Sequence, residues 1–287
     1  MAEARQILRR RKAIRNIHKL CYTMQLIATA RFKRAMDRAM QAAAYTERIA
    51  AMAADLGRAA AAIEHPLLQV REPQRCTALL VITANRGLCG GYNSNILRAA
   101  THHLERLAQQ EVLLDVAGKR GIAYFRFRRI PMRATYTHFE DKVRFEEVRA
   151  LADRYMDAYA AAEIDRVDVV YMKFISAGRQ VPVVETLLPL TRPGDDGEQI
   201  TAVQYEFYPN PEDLLAEILT MAFRTRLFKC FLDAASSEQI ARMVAMKGAT
   251  ENAARMDKQL TLLYNRARQE KITKELAEIV GGAEALK

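Results

Sequence analysis

The residues best placed to do chemistry form a glycine-rich loop, Ala84 to Asn93, with the sequence ANRGLCGGYN. The loop follows a short apolar run and precedes a helical pattern, which is where phosphate-binding loops lie in α/β proteins. It matches neither the P-loop pattern nor the dinucleotide-binding pattern GxGxxG. The glycines Gly87, Gly90 and Gly91 are therefore more typical of a tight turn with close backbone approach than of a phosphate site.

The other reactive residues form no recognisable catalytic or metal site. Cys89 is a candidate nucleophile, but the sequence offers no identifiable base, and the five histidines show no triad pattern. The carboxylates Asp141, Glu146 and Glu147 are typical of a solvated helix start. The four cysteines form no CxxC pair, which favours buried thiols in a reducing compartment. The residues alone therefore predict a chain without catalytic activity, cofactor or metal.

A dense polar band lies near the carboxyl-terminal end of the chain. Gln269 and Thr273 are four residues apart, so a helix would place them on one side. Either a solvated helix face or a partner-binding face explains the band. Its members are Arg266, Arg268, Gln269, Lys271, Thr273, Lys274 and Glu275.

The net charge is +10, and it is concentrated at the amino-terminal end. Up to Arg38 there are eleven basic residues and only two acidic ones, Glu3 and Asp37. This imbalance indicates an acidic partner or a solvated charged helix. Nucleic acid is disfavoured, because the basic region has no interleaved aromatic residues and no nucleic-acid-binding motif.

The basic residues near the amino-terminal end and the polar band near the carboxyl-terminal end must be positioned by two long helices. No proline precedes Pro66 and none follows Pro211, so each end of the chain predicts a helix of roughly 90–110 Å. Positions 7, 14, 21, 28 and 35 form an apolar or small heptad line, and a second line holds Ile17 and Met24 with interrupting arginines. The second helix has a matching apolar line at heptad spacing, made of Ala253, Met256, Leu260, Leu263 and Ala267. Ile272, Leu276 and Ile279 continue it with a shifted register. We expect an antiparallel coiled coil in which one face meets something besides the partner helix.

A small α/β domain is predicted between the helices. Apolar runs at 78–83, 112–116 and 167–174 predict buried strands, and 181–190 an edge strand or hairpin. The intervening patterns predict helices at 93–109, 119–128 and 145–162. The fold class is therefore α/β plus a long α-helical coiled coil. The expected division is residues 1–65, 74–205 and 209–287, with the first and last paired. No apolar run reaches the length of a membrane span.

Three segments resemble the gamma subunit family of F-type ATP synthases. They are Ile82 to Asn93, Arg242 to Ala253 (RMVAMKGATENA), and Tyr264 to Ala283 (YNRARQEKITKELAEIVGGA). The resemblance implies a non-catalytic rotor shaft inside a ring of alpha and beta subunits. Its α/β domain would lie on the ring of membrane c subunits beside epsilon, at the cytoplasmic face of the bacterial inner membrane.

The resemblance also implies roles for individual residues. Contacts with alpha and beta are expected at Met24, Arg242, Arg268, Gln269, Thr273 and Glu275. An apolar bearing is expected at the tip, at Ile279, Val280, Ala283 and Leu286. The side facing the c ring and epsilon is expected to hold Gly87, Cys89, Gly90, Gly91 and Tyr205. The alternative is an unrelated coiled-coil scaffold that binds an acidic protein or nucleic acid, and only the rotor would associate with alpha and beta.

Overall fold

A computed structural model describes residues 2–59, 65–139, 143–190 and 211–284. Long helices lie at both ends, and a mixed sheet with shorter helices lies between them in sequence, so the expected fold class is confirmed. The helices are α1 (Ala2–Ala59), α2 (Tyr92–Arg106), α3 (Lys119–Phe127), α4 (Phe145–Ala160) and α5 (Pro211–Glu284). The strands are β1 (Cys76–Ile82), β2 (Glu111–Ala117), β3 (Ala134–Tyr136), β4 (Arg166–Ser176) and β5 (Arg179–Leu188).

The chain divides into two compact units. One contains Met1–Thr29 and Arg242–Lys287, which are the outer parts of the two long helices. The other contains Ala30–Ala241, which includes the sheet and the inner parts of those helices.

The sheet of the second unit has the order β3-β2-β1-β4-β5. The pairs β1–β2, β1–β4 and β2–β3 are parallel, as expected for strands that alternate with helices. The pair β4–β5 is an antiparallel hairpin at the sheet edge, as the loose alternation of 181–190 predicted. Strand β3 was not predicted, because three residues are too few to show a period.

Helices cover both faces of this sheet. On one face, Leu80 lies in a core with Tyr155 of α4 and Phe223 of α5. On the other face, Leu79 lies in a core with Ile96 of α2 and Phe125 of α3. Because both faces are covered, strand β1 is apolar almost throughout, which explains its continuous apolar sequence.

In the first unit the two helices are joined by charged as well as apolar residues. Arg11 and Arg15 of α1 place their Nε atoms 3.3 and 3.1 Å from Oδ1 of Asp257 in α5. Along residues 5–30 of α1 the less exposed positions are spaced alternately four and three residues apart, as in a coiled coil. They are Ile7, Arg11, Ile14, His18, Cys21, Gln25 and Ala28.

Within the described part of the chain, no helical segment combines the length and apolar character that a membrane span requires.

Candidate functional site

The outer face of α1 carries a line of exposed apolar side chains. Ile17, Leu20, Met24 and Ile27 are spaced by three, four and three residues, and each is at least 40% exposed. The arginine-interrupted heptad line that included Ile17 and Met24 therefore lies outside the helix pair, on the face that was expected to meet something besides the partner helix. Polar Arg11, His18 and Gln25 occupy the inner line, because their long side chains can cross the interface and keep their polar ends accessible.

Helix α5 shows the same arrangement. Ala253, Leu260 and Ala267 are buried or half-buried as predicted, but Met256 and Leu263 are exposed. Their expected places on the inner line are taken by Asp257, Tyr264 and Lys271. The apolar residues Ile272, Leu276 and Ile279 are also exposed. Both helices of this unit thus present large apolar side chains to the outside, which is typical of a protein-binding surface.

The polar band of α5 lies on this outer surface, except for Lys271 on the inner line. Arg268, Gln269 and Thr273 are exposed and lie off the inner line. Glu275 is exposed and forms an ion pair with Lys271, whose Nζ lies 3.3 Å from the Glu275 Oε1. Arg266 and Glu270 pair in the same way, at 3.0 Å. These ion pairs between residues one helical turn apart stabilise the helix, while Arg268, Gln269 and Thr273 are directed to solvent.

The remaining predicted contacts fall at both ends of the outer helix segments. Arg242 is half-buried, and Met24 is 40% exposed within the apolar line of α1. At the tip, Ile279 and Val280 are 67% and 61% exposed. Tyr205, Leu286 and the side chain of Ala283 lie outside the described residues.

The glycine-rich loop is folded around one amide side chain. Asn93 accepts a hydrogen bond from the Ala84 backbone at 3.0 Å and donates from Nδ2 to the Cys89 sulfur at 3.1 Å. Leu88 and Gly90 have left-handed backbone angles, with φ of 64° and 55°. The Cys89 thiol is buried, 2% exposed. The loop therefore forms a compact turn, as predicted, and its cysteine is placed as part of the core rather than as a nucleophile.

A buried carboxylate on β2 fastens α4 to the sheet, and the sequence analysis missed it. Asp115 accepts a hydrogen bond from the Tyr155 hydroxyl at 2.7 Å and pairs with the guanidinium of Arg133. Burial and the negative charge of Asp115 raise the pKa of Tyr155 well above its usual value, so this hydroxyl stays protonated and donates. An acidic residue inside an otherwise apolar strand was the available signal.

A second buried carboxylate, Asp168 on β4, holds α2. Nε2 of His103 lies 2.8 Å from its Oδ2, while Arg166 and Thr186 both donate to its Oδ1 at 2.8 Å. A histidine oriented by an aspartate is half of a catalytic triad. Here both groups are buried and the carboxylate is shared among three donors, so the pair acts as a structural anchor.

Among the described residues, no group of three or more His, Cys, Asp or Glu side chains is arranged to hold a metal ion. The free cysteines in this part of the chain are Cys21 and Cys76, which are half-buried, and Cys89 and Cys230, which are buried.

Comparison with known proteins gives consistent matches along the whole chain. The ATP synthase family profile matches residues 3–286. The ATP synthase gamma chain of Rhodopirellula baltica is 50% identical over 294 residues, which cover 100% of this chain and 99% of that protein. The ATP synthase gamma chain of Leptospira biflexa is 39% identical over 290 residues, with full coverage of both chains.

Solved structures show the same fold at low sequence identity. A rotor chain of the Euglena gracilis mitochondrial ATP synthase, in rotational state 1, aligns with a TM-score of 0.65 and 18% identity, covering 94% of this chain and 99% of that one. A chain of the same complex in rotational state 3 aligns with a TM-score of 0.68 and 17% identity, covering 99% of this chain and 95% of that one.

Proposed function

This chain belongs to the ATP synthase gamma chain family, and we propose that it is the central rotor shaft of an F-type ATP synthase. It would couple ion-driven rotation of the c ring to ATP synthesis or hydrolysis in the beta subunits. The observation that carries the proposal is the full-length match to a gamma chain at 50% identity. The exposed apolar lines on both long helices give it physical support, because such surfaces favour a surrounding protein partner.

The shaft acts by presenting unequal faces to a ring of similar subunits. One side of α1 carries the apolar line from Ile17 to Ile27, and arginines lie on the same helix at Arg10, Arg31 and Arg34. A face that binds one conformation of a beta subunit better than another shifts the population of that subunit. Rotation would bring each beta subunit against each face in turn, so the shaft needs no catalytic group of its own.

We assign the contacts with alpha and beta to Met24, Arg242, Arg268, Gln269, Thr273 and Glu275. Their exposure is compatible with this role for all except Arg242, which is half-buried. Ile279, Val280, Ala283 and Leu286 would form the apolar tip in its bearing. Gly87, Cys89, Gly90, Gly91 and Tyr205 would belong to the side that meets the c ring and epsilon. Residues 1–65 and 209–287 would form the shaft, and 74–205 its foot.

The complex is membrane-associated, and this chain would take part as a peripheral subunit held through the c ring. We place it at the cytoplasmic face of the bacterial inner membrane. Its partners would be alpha, beta, epsilon and the c ring, with no nucleic acid.

Co-purification tests the proposal. The tagged chain, expressed from its own gene, should bring down the alpha and beta subunits of the same organism in stoichiometric amounts, and the isolated complex should hydrolyse ATP. A coiled-coil scaffold with another acidic partner, or with nucleic acid, would be purified without alpha and beta. That outcome would contradict the rotor assignment and favour the scaffold.

A further inference from the structure

A basic groove of about 860 Å³ lies between α2 and α3. One wall is formed by α2, through Leu97, Arg98, Thr101, His102 and Glu105. The other wall is formed by Arg120 and Tyr124 of α3 with its C-cap residue Arg128, and the glycine-rich loop closes one end.

Contacts across its floor hold the groove in shape. The hydroxyls of Thr101 and Tyr124 lie 3.2 Å apart and join the two helices. The guanidinium of Arg128 lies 5.6 Å from the centre of the Tyr124 ring. At the closed end Arg120 lies directly against Gly87, where a Cβ atom would come within 2.6 Å of the guanidinium. The groove is therefore preformed, which reduces the entropic cost of binding.

The charges of the groove are not balanced within the chain. Elsewhere in the same unit, Arg133, Arg166, Arg224 and Arg226 each pair with a carboxylate.

In contrast, Arg98, Arg120 and Arg128 are exposed, and no carboxylate of the described residues pairs with any of them. Glu105 is the sole acidic residue among the described lining residues. Three arginines against one glutamate make the groove attractive to an acidic ligand.

Large apolar side chains are exposed on the elements that carry these arginines and on the glycine-rich loop. Phe127 is 87% exposed, the largest value among the exposed apolar residues of the described chain. It lies seven residues after Arg120 on α3, so the two side chains share one face of that helix. Leu88, which lines the groove, is 60% exposed. A ligand that covers both side chains gains apolar burial in addition to charge pairing.

We propose that this groove is a docking site for an acidic segment of another protein. Arg120 in the first turn of α3 and Arg128 at its C-cap are eight residues apart, so their backbone positions are separated by about 12 Å along the helix axis. A groove of about 860 Å³ with arginines on both walls is larger than a single phosphate, whereas a peptide segment with spaced carboxylates fills it. A concave surface lined in part by an exposed leucine also fits a chain segment better than the flat surface of a membrane.

The proposal rests on the assignment of this chain to an ATP synthase, since it takes the partner to be a subunit or bound regulator of that complex. The test replaces Phe127 by the photo-crosslinking residue p-benzoyl-phenylalanine in the purified complex. Mass spectrometry then identifies the crosslinked peptide. The expected product is a peptide of another protein with more Asp and Glu than Lys and Arg.

Charge reversal supplies the second measurement. Arg120→Glu with Arg128→Glu should reduce the yield of that crosslink at least tenfold, while Arg179→Glu, at the exposed start of β5, should leave it unchanged. Circular dichroism and retention of alpha and beta in the preparation show that fold and assembly are intact. No crosslink, a crosslink to lipid, nucleic acid or a basic segment, or a yield that survives reversal would overturn the proposal while leaving the rotor assignment untouched.

Discussion

At the residue scale, the α/β unit depends on a few polar and glycine positions that hold its layers together. Gly118 follows β2 with a positive φ of 100°, and a Cβ there would fall on the carbonyl oxygen of Thr83. Thr83 in turn accepts a hydrogen bond from the Gly121 backbone at 2.9 Å. The glycine thus allows the start of α3 to approach the end of β1, which fixes one wall of the basic groove.

Substituting Gly118 tests this close approach. Gly118→Ala should lower the free energy of unfolding by about 2–5 kcal/mol, because it adds backbone strain to a collision with rigid backbone. Gly178→Ala is the matched control, since nothing lies within 4 Å of a Cβ at that turn. Urea denaturation of both variants gives the comparison. Equal stabilities would show that the backbone at Gly118 relaxes freely.

A buried acid on α5 predicts a pH dependence. Burial raises the pKa of Asp233 to about 6, with Glu185 raising it further and Lys229 and Lys173 opposing the shift. Because the folded-state pKa lies above the unfolded value, the unfolded state holds fewer protons between about pH 4 and 6. Stability therefore falls as pH rises through this window, and the penalty is complete above it.

The substitution Asp233→Asn removes that titration. The variant should match the parent protein in stability near pH 4 and exceed it near pH 8, and its unfolding free energy should change less between pH 4 and 6. Thermal unfolding at a series of pH values measures this. A variant less stable than the parent at pH 8 would mean that the ionised carboxylate has a stabilising partner.

At the scale of elements, most of the fold could be predicted because each element carried its own local signal. The strand of β1 is a continuous apolar run, and the helix of α3 ends within one residue of the prediction. The inner line of the long helices could only be half predicted. Heptad spacing identified Ile7, Ile14, Cys21 and Ala28 in α1, but in α5 apolarity also selected Met256 and Leu263, which lie outside.

The reason for that error is physical. A shaft with partners on the outside has apolar residues on two faces, so hydrophobicity alone does not distinguish the intramolecular interface from the intermolecular one. Polar residues identify the intramolecular interface, since Arg11 and Arg15 both donate hydrogen bonds to Asp257. These residues are more than 240 positions apart, and a local sequence pattern does not reveal such a pairing. Long-range pairing also explains why the Asp115 and Asp168 anchors were missed.

Two leucines of α5 allow the inner and outer faces of the helix pair to be tested separately. Leu260 lies on the inner line of α5, and Leu263 is 53% exposed. Leu260→Asp should lower the thermal stability of the isolated chain, because it introduces a charge into the helix pair. Leu263→Asp should leave that stability nearly unchanged but reduce assembly with alpha and beta. If both variants lose the same amount of stability, the assignment of inner and outer faces is wrong.

The polar band gives a further test of the outer face. Replacing Arg268, Gln269 and Thr273 together by Ala keeps helix propensity high and breaks no contact of the inner line. It removes hydrogen bonds to the surrounding subunits, each contributing about 0.5–3 kcal/mol. Circular dichroism should be unchanged, and ATP hydrolysis by the reconstituted complex should fall. Unchanged hydrolysis would remove these residues from the contact, and lost helicity would assign them to the helix pair instead.

At the scale of the whole molecule, the role of the chain follows from its membership of the ATP synthase gamma chain family. The buried His103–Asp168 pair serves as an anchor between α2 and the sheet. What the chain offers to partners is surface: apolar lines and a polar band on the long helices, and a basic groove on the α/β unit. The family relationship could be predicted from three sequence segments, whereas the groove depends on the juxtaposition of α2 and α3.

Rotation is the most direct test of the central claim that this chain is a rotor shaft. A biotin-acceptor tag inserted at the open turn around Gly178 allows a bead to be attached to the chain in a complex reconstituted with alpha and beta. When the alpha and beta subunits are fixed to a surface and ATP is added, the bead should turn repeatedly in one direction. A complex that hydrolyses ATP at a normal rate while its bead stays fixed would contradict the account.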